Sequence, residues 1–363
     1  MRLGVEAAVV DGVLLRGDVE LADGHVVAVG LNGGGGSGIA IPGLVDLQVN
    51  GFGGVDFAAA DVSGYRRAGE ALLEYGVTAF QPTLITAPEA ELVAALAEIP
   101  AGSIGPRVIG VHLEGPFLSP LRLGAHPASA RRDPDPGLLV RLLDAGPVSE
   151  MTLAPELDGA LELIDVLNAR GVVASCGHSD ATAKQAGRAF DRGAATVTHL
   201  FNAMRPLRHR DPGIAGAALA RDDVVVQVIL DGNHLAEETA RVIWRAAAGR
   251  TALVSDAIAA AGVGDGSYRL GNVDIDVRDG VARRLDGVLA GSSITLIDAV
   301  RRLHALGVPF ADAIGAATTV PARIARRPAL GSLRPGAAAD VVVLDDALEI
   351  RTVFVGGENL VAA

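Results

Sequence analysis

The stretch VVASCGHSDATAKQAGRAFDRGAATVTHLFNAM, Val172–Met204, decides the fold. It holds two apolar runs, Val172–Cys176 and Ala194–Thr198, and each ends within two residues on a histidine, His178 and His199. Between them, Asp180–Arg192 is polar and compatible with a helix, so the unit reads strand, helix, strand. Parallel neighbours of this kind bring both imidazoles to the carboxyl ends of adjacent strands, where α/β sheets place their chemistry. A histidine at one strand end is commonly structural, so a functional reading depends on the other strand ends.

The same rhythm extends outward from this unit. Apolar runs at Ile41–Val49, Val77–Pro82, Arg107–Leu113, Met151–Leu153, Val224–Leu230 and Thr251–Ser255 bring the number of expected strands to eight. Helix-compatible segments at Ser63–Tyr75, Pro88–Glu98, Leu138–Asp144, Leu161–Ala169 and Glu237–Ala248 separate most of them. Eight parallel strands with outer helices over about 250 residues predict a (β/α)₈ TIM barrel, with its site on the loops of the carboxyl face. A glycine-dotted, strand-like segment at 262–287 is expected as an insertion overhanging that face, and helices at Thr295–Leu306 and Ala311–Arg323 would close the barrel.

Both chain ends lack this rhythm. Val5–Val10, Val13–Leu15, Val19–Leu21 and Val26–Val29 are short alternating runs joined by Asp11-Gly12 and Asp23-Gly24 turn signals. They end in the glycine loop Leu31–Gly38, and two further strands at Asp340–Leu344 and Thr352–Val355 have no helix to pair with. The expectation is a small β-sandwich domain built from residues 1–40 and 329–363, beside a catalytic barrel at 41–328.

Composition narrows the function. Of the 363 residues, half are apolar, enough for a large core, and a net charge of −12 argues against general affinity for nucleic acid or an acidic membrane. Lys184 is the only lysine, so arginines are the first candidates to hold any anionic substrate. The single cysteine, Cys176, excludes an intrachain disulfide framework and a thiolate metal cage. No apolar stretch approaches a membrane span and no signal-like run opens the chain, so a cytoplasmic location is expected.

The first polar residues after each strand are Gln48 and Asn50, Thr83, Glu114, His178, His199 with Asn202, Asp231 with His234, and Asp256. One carboxylate and two imidazoles, Glu114, His178 and His199, make a metal-ligand set with an open coordination position, suited to zinc and also met in non-haem iron sites. Glu114 ends the apolar run RVIGVHL, where a carboxylate needs a metal or a cationic partner to offset its desolvation; an arginine salt bridge is the alternative. His112 shares its strand face and is read as support or core. Asp256, at the end of the eighth strand, is placed to move a proton opposite such a metal, or else to be a third ligand or a helix cap.

Nine motifs then fall in register: PGLVDLQVNGFGG (Pro42–Gly54), HLEGPF (His112–Phe117), LGAHP (Leu123–Pro127), CGHSDAT (Cys176–Thr182), THLFNAM (Thr198–Met204), RDPG (Arg210–Gly213), DGNH (Asp231–His234), SDA (Ser255–Ala257) and LAGS (Leu289–Ser292). Together they closely resemble the N-acetylglucosamine-6-phosphate deacetylase family of the amidohydrolase superfamily. The resemblance implies hydrolysis of the acetamide of N-acetylglucosamine 6-phosphate, with Glu114, His178 and His199 on the metal and Asp256 as proton shuttle. His126, beside Ala125, would polarise the acetamide carbonyl. Asn202 and Ala203 would hold the sugar phosphate, Arg210 and His234 would complete its pocket from the partner subunit of a homodimer, and Leu289, Ala290 and Gly291 would line the sugar. Superfamily members with two metals carry His-x-His on the first strand. Gln48 and Asn50 stand there as vestigial second-metal positions, which implies one divalent metal per subunit: zinc first, with iron, manganese or cobalt as alternatives. Leu123 stands where some relatives carry a lysine, so the resemblance implies no phosphate help from that side. The galacto epimer, another N-acyl sugar, a different amidohydrolase reaction such as cyclic-amide hydrolysis, and a catalytically silent scaffold are the competing readings.

Overall fold

The computed structural model describes residues 1–32 and 36–362; the glycines at 33–35 of the expected glycine loop lie outside the described residues. Eight parallel strands form the barrel: β1 Leu44–Val49, β2 Val77–Ile85, β3 Val111–Glu114, β4 Val148–Leu153, β5 Val173–Cys176, β6 Thr196–Val197, β7 Val225–Val228 and β8 Thr251–Leu253. They pair in sequence order. Closure between the last and first strands uses a parallel bridge from Val49 to Ala257 and the buried Asp46 carboxylate, which accepts the Ser255 N–H at 3.1 Å. Burial pushes the Asp46 carboxyl up to about 6, against the hydrogen bonds from Ser255 and Gln48.

Helices on the outside start where the chemistry of their first residues dictates. Asp61 caps Val62–Glu74 by accepting the Gly64 N–H, Asp135 caps Pro136–Ala145 with Pro136 in the first turn, and Thr182 with Gln185 forms a reciprocal capping box for Ala183–Asp191. No helix among the described residues is long and apolar enough to cross a membrane.

Several elements differ from expectation, among them Arg107–Leu113, which breaks into Arg107–Val108 and Val111–Glu114, and Ala311–Arg323, which breaks into helices Phe310–Ala316 and Thr319–Ile324. The run Ile41–Val49 splits: Ile39–Pro42 pairs with Val341–Leu344 in the terminal sheet, and β1 begins only at Leu44. Gly43 makes the junction because a Cβ there would meet Thr78 Oγ1 at 2.0 Å. β2 runs past Pro82 to Ile85, since the pairing of Pro82 with Val49 needs no donor from the proline. The helix Gly213–Leu219 was not expected, because its sequence GIAGAAL has no polar face to give a period.

The chain ends meet in a six-stranded sheet ordered Val13–Arg16, Ala7–Val10, Ile39–Pro42, Val341–Leu344, Ile350–Val355, Glu358–Ala362. The hairpin Asp18–Ala22/His25–Leu31 packs on it through Val19, Leu21, Val26, Ala40, Val341 and Phe354. Both Asp-Gly turns have two consecutive residues at positive φ, as a two-residue hairpin of this hand requires. Over the carboxyl face lies a three-stranded antiparallel insertion, Gly266–Leu270, Val273–Arg278 and Val281–Arg284. It packs Leu270, Ile275 and Val277 against Ile85, Ala125 and Ile258.

The barrel interior is polar in layers. Deepest are Glu150, Gln81 and Gln227, all fully buried. Gln227 Nε2 donates to Glu150 Oε1 at 2.6 Å, and the Gln81 amide, turned to satisfy its neighbours, donates to Leu47 O and to Glu150 Oε2. Burial without a cation in contact, with the charge of Glu114 above, raises the Glu150 carboxyl to about 8. In the next layer His112 bridges Thr83 (3.2 Å) and Thr152 (2.7 Å), and burial lowers its pKa to about 4, so it is a neutral core residue.

Candidate metal centre and active-site cavity

Glu114 is the last residue of β3, and His178, His199 and Asp256 follow β5, β6 and β8 within three residues. Short strands ending at one height therefore deliver four side chains from four directions to one mouth. His178, His199 and Asp256 have positive φ values of 47°, 28° and 48°. Left-handed backbone of this kind costs an L-residue about 1 kcal/mol or more and persists where the surroundings over-determine it. Here the Ser119 N–H donates to His178 O, the Asn202 N–H to His199 O and the Ser292 N–H to Asp256 O. Gly291 lets the last of these form, because a Cβ there would meet Asp256 O at 2.8 Å.

Glu114 Oε1 lies 3.1 Å from His178 Nε2 and 2.8 Å from His199 Nε2, and the two nitrogens are 3.1 Å apart. His178 Nδ1 donates to Arg122 O at 2.9 Å, which leaves the Nε2 lone pair facing the carboxylate. Two imidazole nitrogens and a carboxylate oxygen converging so closely in a buried site fit a divalent cation, and these three are the ligand group found among the described residues. His199 Nδ1 is buried without a partner among the described residues. Burial alone would raise Glu114; the imidazoles of His178, His126 and His199 outweigh it and hold the carboxyl well below the usual carboxylate range.

Gln48 Nε2 bridges Glu114 Oε1 (3.3 Å) and Asp256 Oδ1 (2.9 Å), and Asn50 Nδ2 donates to the same Asp256 oxygen at 2.7 Å. The two amides thus present nitrogens to Asp256, while Gln48 Oε1 and Asn50 Oδ1 are buried without a partner among the described residues. Burial, then the charge of Glu114, push the Asp256 carboxyl up from its usual range, against the opposing pull of His199 and Asn50. His126, buried in the cavity wall, faces Glu114 Oε2 through Nε2 at 3.4 Å. Its Nδ1 accepts the Thr86 backbone N–H, a donor that cannot turn away, so the hydrogen of the neutral ring sits on Nε2. Burial and the neighbouring His178 lower its pKa to about 4, which keeps the ring neutral.

These groups open into a cavity of about 280 Å³. Ala125, Asn202, Ala203, His234, Leu289 and Gly291 line it, as do Ile85, Leu270 and Val288, an apolar wall that the sequence reading missed. Ala290 does not reach it: its side chain belongs to the apolar cluster under the insertion. His234 requires a correction. Expected to reach a neighbouring subunit's site, it lines the cavity of its own chain, because the Asp231 carboxylate takes the His234 N–H and ring Nδ1 (2.9 and 2.8 Å) and folds the ring inward. The imidazole in turn holds the Asp231 carboxyl down at about 2, against its burial. Arg210 is exposed on the loop before Gly213–Leu219, lies outside the cavity wall and makes no ion pair among the described residues. Thr86 escaped the sequence reading because β2 was ended at Pro82; as the first polar residue after Ile85 it was within reach of the strand-end rule.

Comparison with known proteins agrees with this geometry. Residues 39–360 match the Amidohydrolase family. The N-acetylglucosamine-6-phosphate deacetylase of Mus musculus is 40% identical over 343 residues, covering 89% of this chain and 83% of the relative. The N-acetylgalactosamine-6-phosphate deacetylase of Escherichia coli O157:H7 is 37% identical over 327 residues, with 87% and 86% covered. A mutant N-acetyl-D-glucosamine-6-phosphate deacetylase from Mycobacterium smegmatis, solved in complex with N-acetyl-D-glucosamine 6-phosphate, superposes with a TM-score of 0.93 at 40% identity over 99% of this chain and 98% of that one. The chain therefore belongs to the amidohydrolase family and, within it, to the N-acetylglucosamine-6-phosphate deacetylases.

Proposed function

We propose that the chain hydrolyses the acetamide of N-acetyl-D-glucosamine 6-phosphate, releasing acetate and D-glucosamine 6-phosphate, as a step of amino-sugar catabolism. The observation that carries this reading is the convergence of Glu114, His178 and His199 opposite Asp256 in one cavity. Glu114, His178 and His199 would hold one divalent cation, zinc first, which supplies Lewis acidity toward the acyl group and offsets the charge of Glu114. Both hydrogen bonds to Asp256 fall on Oδ1. Oδ2 is left to take a proton from the attacking water and return it to the departing amine. His126 Nε2–H, fixed in its tautomer by Thr86, donates to the oxygen on which charge develops. The amide nitrogens of Gln48 and Asn50 hold Asp256, which supports one metal per chain rather than two.

Asn202, Ala203 and His234 are the groups for the sugar phosphate within the chain, with Leu289 and Gly291 along the sugar. Exposed and unpaired, Arg210 fits a homodimer in which it completes the neighbouring phosphate pocket, as an arginine fork on a phosphate. Residues 41–328 would be the catalytic unit and 1–40 with 329–363 its supporting β unit, and a phosphorylated sugar substrate suits a cytoplasmic enzyme. The test is acetate release from both 6-phosphorylated epimers, with and without a chelator. Chelator-sensitive release with a higher kcat/KM for the gluco epimer is expected; a higher value for the galacto epimer would reassign the substrate, and release from neither would remove the proposal.

A further inference from the structure

Beside the residues that line the cavity, four charged side chains form a line of ion pairs. Arg122 donates from Nε to Asp180 Oδ1 at 2.8 Å, and Arg205 NH1 donates to Asp180 Oδ2 at 3.0 Å. The other edge of the Arg205 guanidinium holds the Asp211 carboxylate, with Nε–Oδ2 at 2.9 Å. Each carboxylate oxygen of Asp180 thus serves a different arginine. At one end of the line, the backbone carbonyl of Arg122 is the acceptor that orients His178 through Nδ1. At the other, Asp211 adjoins Arg210, and the segment around Arg205 is stitched to the His178 turn by Ser179 N–H to Ala203 O and Arg205 N–H to Ser179 O. Glu156 backs the same turn, accepting the Ser179 hydroxyl and the Asp180 N–H.

We infer that Asp180 is a positioning residue for the reaction: through Arg122 it holds the carbonyl that aims His178 at the metal, and through Arg205 it holds the loop that presents Asn202 and Ala203 to the sugar phosphate of its own site and Arg210 to that of the neighbouring subunit. This rests on the function proposed above. Only a carboxylate can serve both arms, because the amide of an asparagine would turn an NH₂ toward one of the two guanidinium groups. The two arms are separable: Arg122 carries the metal arm and Arg205 the phosphate arm.

The test compares Asp180→Asn, Arg122→Met and Arg205→Met with the wild-type full-length enzyme in three measurements: Zn²⁺ affinity by competition with a chromophoric chelator, KM and kcat for N-acetylglucosamine 6-phosphate at saturating Zn²⁺, and Tm. Partners behind a ligating histidine are worth 10- to 100-fold in metal affinity. Asp180 acts one residue further out, so Asp180→Asn should weaken Zn²⁺ binding about tenfold and raise KM about tenfold. Arg122→Met should weaken Zn²⁺ with KM unchanged, and Arg205→Met should raise KM with Zn²⁺ affinity unchanged. Wild-type values for both in Asp180→Asn, or both arginine variants shifting both quantities together in step with Tm, would overturn the assignment. A wild-type enzyme that binds no Zn²⁺ or releases no acetate would instead bring down the function on which it rests.

Discussion

Glu150→Gln tests the physics of the barrel floor. Glu150 is fully buried on β4 with the Gln227 and Gln81 amides as its hydrogen-bond partners, and its carboxyl is raised from 4.5 to about 8. Folding therefore favours the protonated form: its contribution to stability is fully present below the unfolded value and is lost as pH rises through the folded one. At about 1.4 kcal/mol per unit, this loss amounts to about 3 kcal/mol by pH 7 and about 5 kcal/mol above pH 8. A glutamine of the same shape does not titrate, accepts from Gln227 through its oxygen, and can donate from its nitrogen to Gln81 after that amide turns over. The variant should thus gain on the wild type as pH rises, and comparing the two at each pH cancels the other titrating groups. Thermal melts at pH 5, 7 and 8.5 read this directly, with the Tm gap widening by about 5 °C across the range. A gap independent of pH, or one that narrows as pH rises, would show that Glu150 is ionised in the folded barrel, and the reasoning from burial would fail.

Three further outcomes follow from the site. Asp256→Asn keeps an oxygen for the Gln48 and Asn50 amides to bind but cannot take a proton, so kcat should fall by about 10²- to 10⁴-fold with metal content intact; near-normal turnover would remove Asp256 from the chemistry. Arg210→Ala should raise KM for the phosphorylated sugar and leave the unphosphorylated analogue unaffected, and equal effects on both would exclude Arg210 from the phosphate pocket. Dialysis against a chelator should abolish acetate release, and one equivalent of zinc per chain should restore it. Metal analysis that returns two equivalents would contradict the part given to Gln48 and Asn50.

How much of this could be read from the sequence depends on the kind of interaction. Glu114, His178, His199 and Asp256 were legible because each is the first strongly polar residue after an apolar strand, and a barrel gathers strand ends at one face. The Asp-Gly hairpins were legible because their backbone needs consecutive positive φ angles. Features decided by tertiary packing were not. In sequence Pro82 reads as the end of β2, yet in the sheet it pairs with Val49 and the strand runs on to Ile85, which carries Thr86 to the strand end. Ile41–Val49 is apolar throughout and gives no sign that Gly43 passes it from one sheet to another. The inward turn of His234 depends on a hydrogen bond to Asp231 that spacing alone does not reveal, and the Arg122–Asp180–Arg205–Asp211 line joins loops that follow β3, β5 and β6.

The left-handed backbone at His178, His199 and Asp256 also bears on how the protein tolerates change. Asparagine and glycine occupy that region more readily than histidine. Their introduction at the two histidines would relieve backbone strain but also remove a ligand of the cation and an imidazole that holds Glu114 charged, so the relief is to be read against the metal-stripped parent, with activity lost in either case. A screen for hardier variants run without metal would reward relief of that strain and one run with metal would reward the ligands, so the screen has to score acetate release alongside survival.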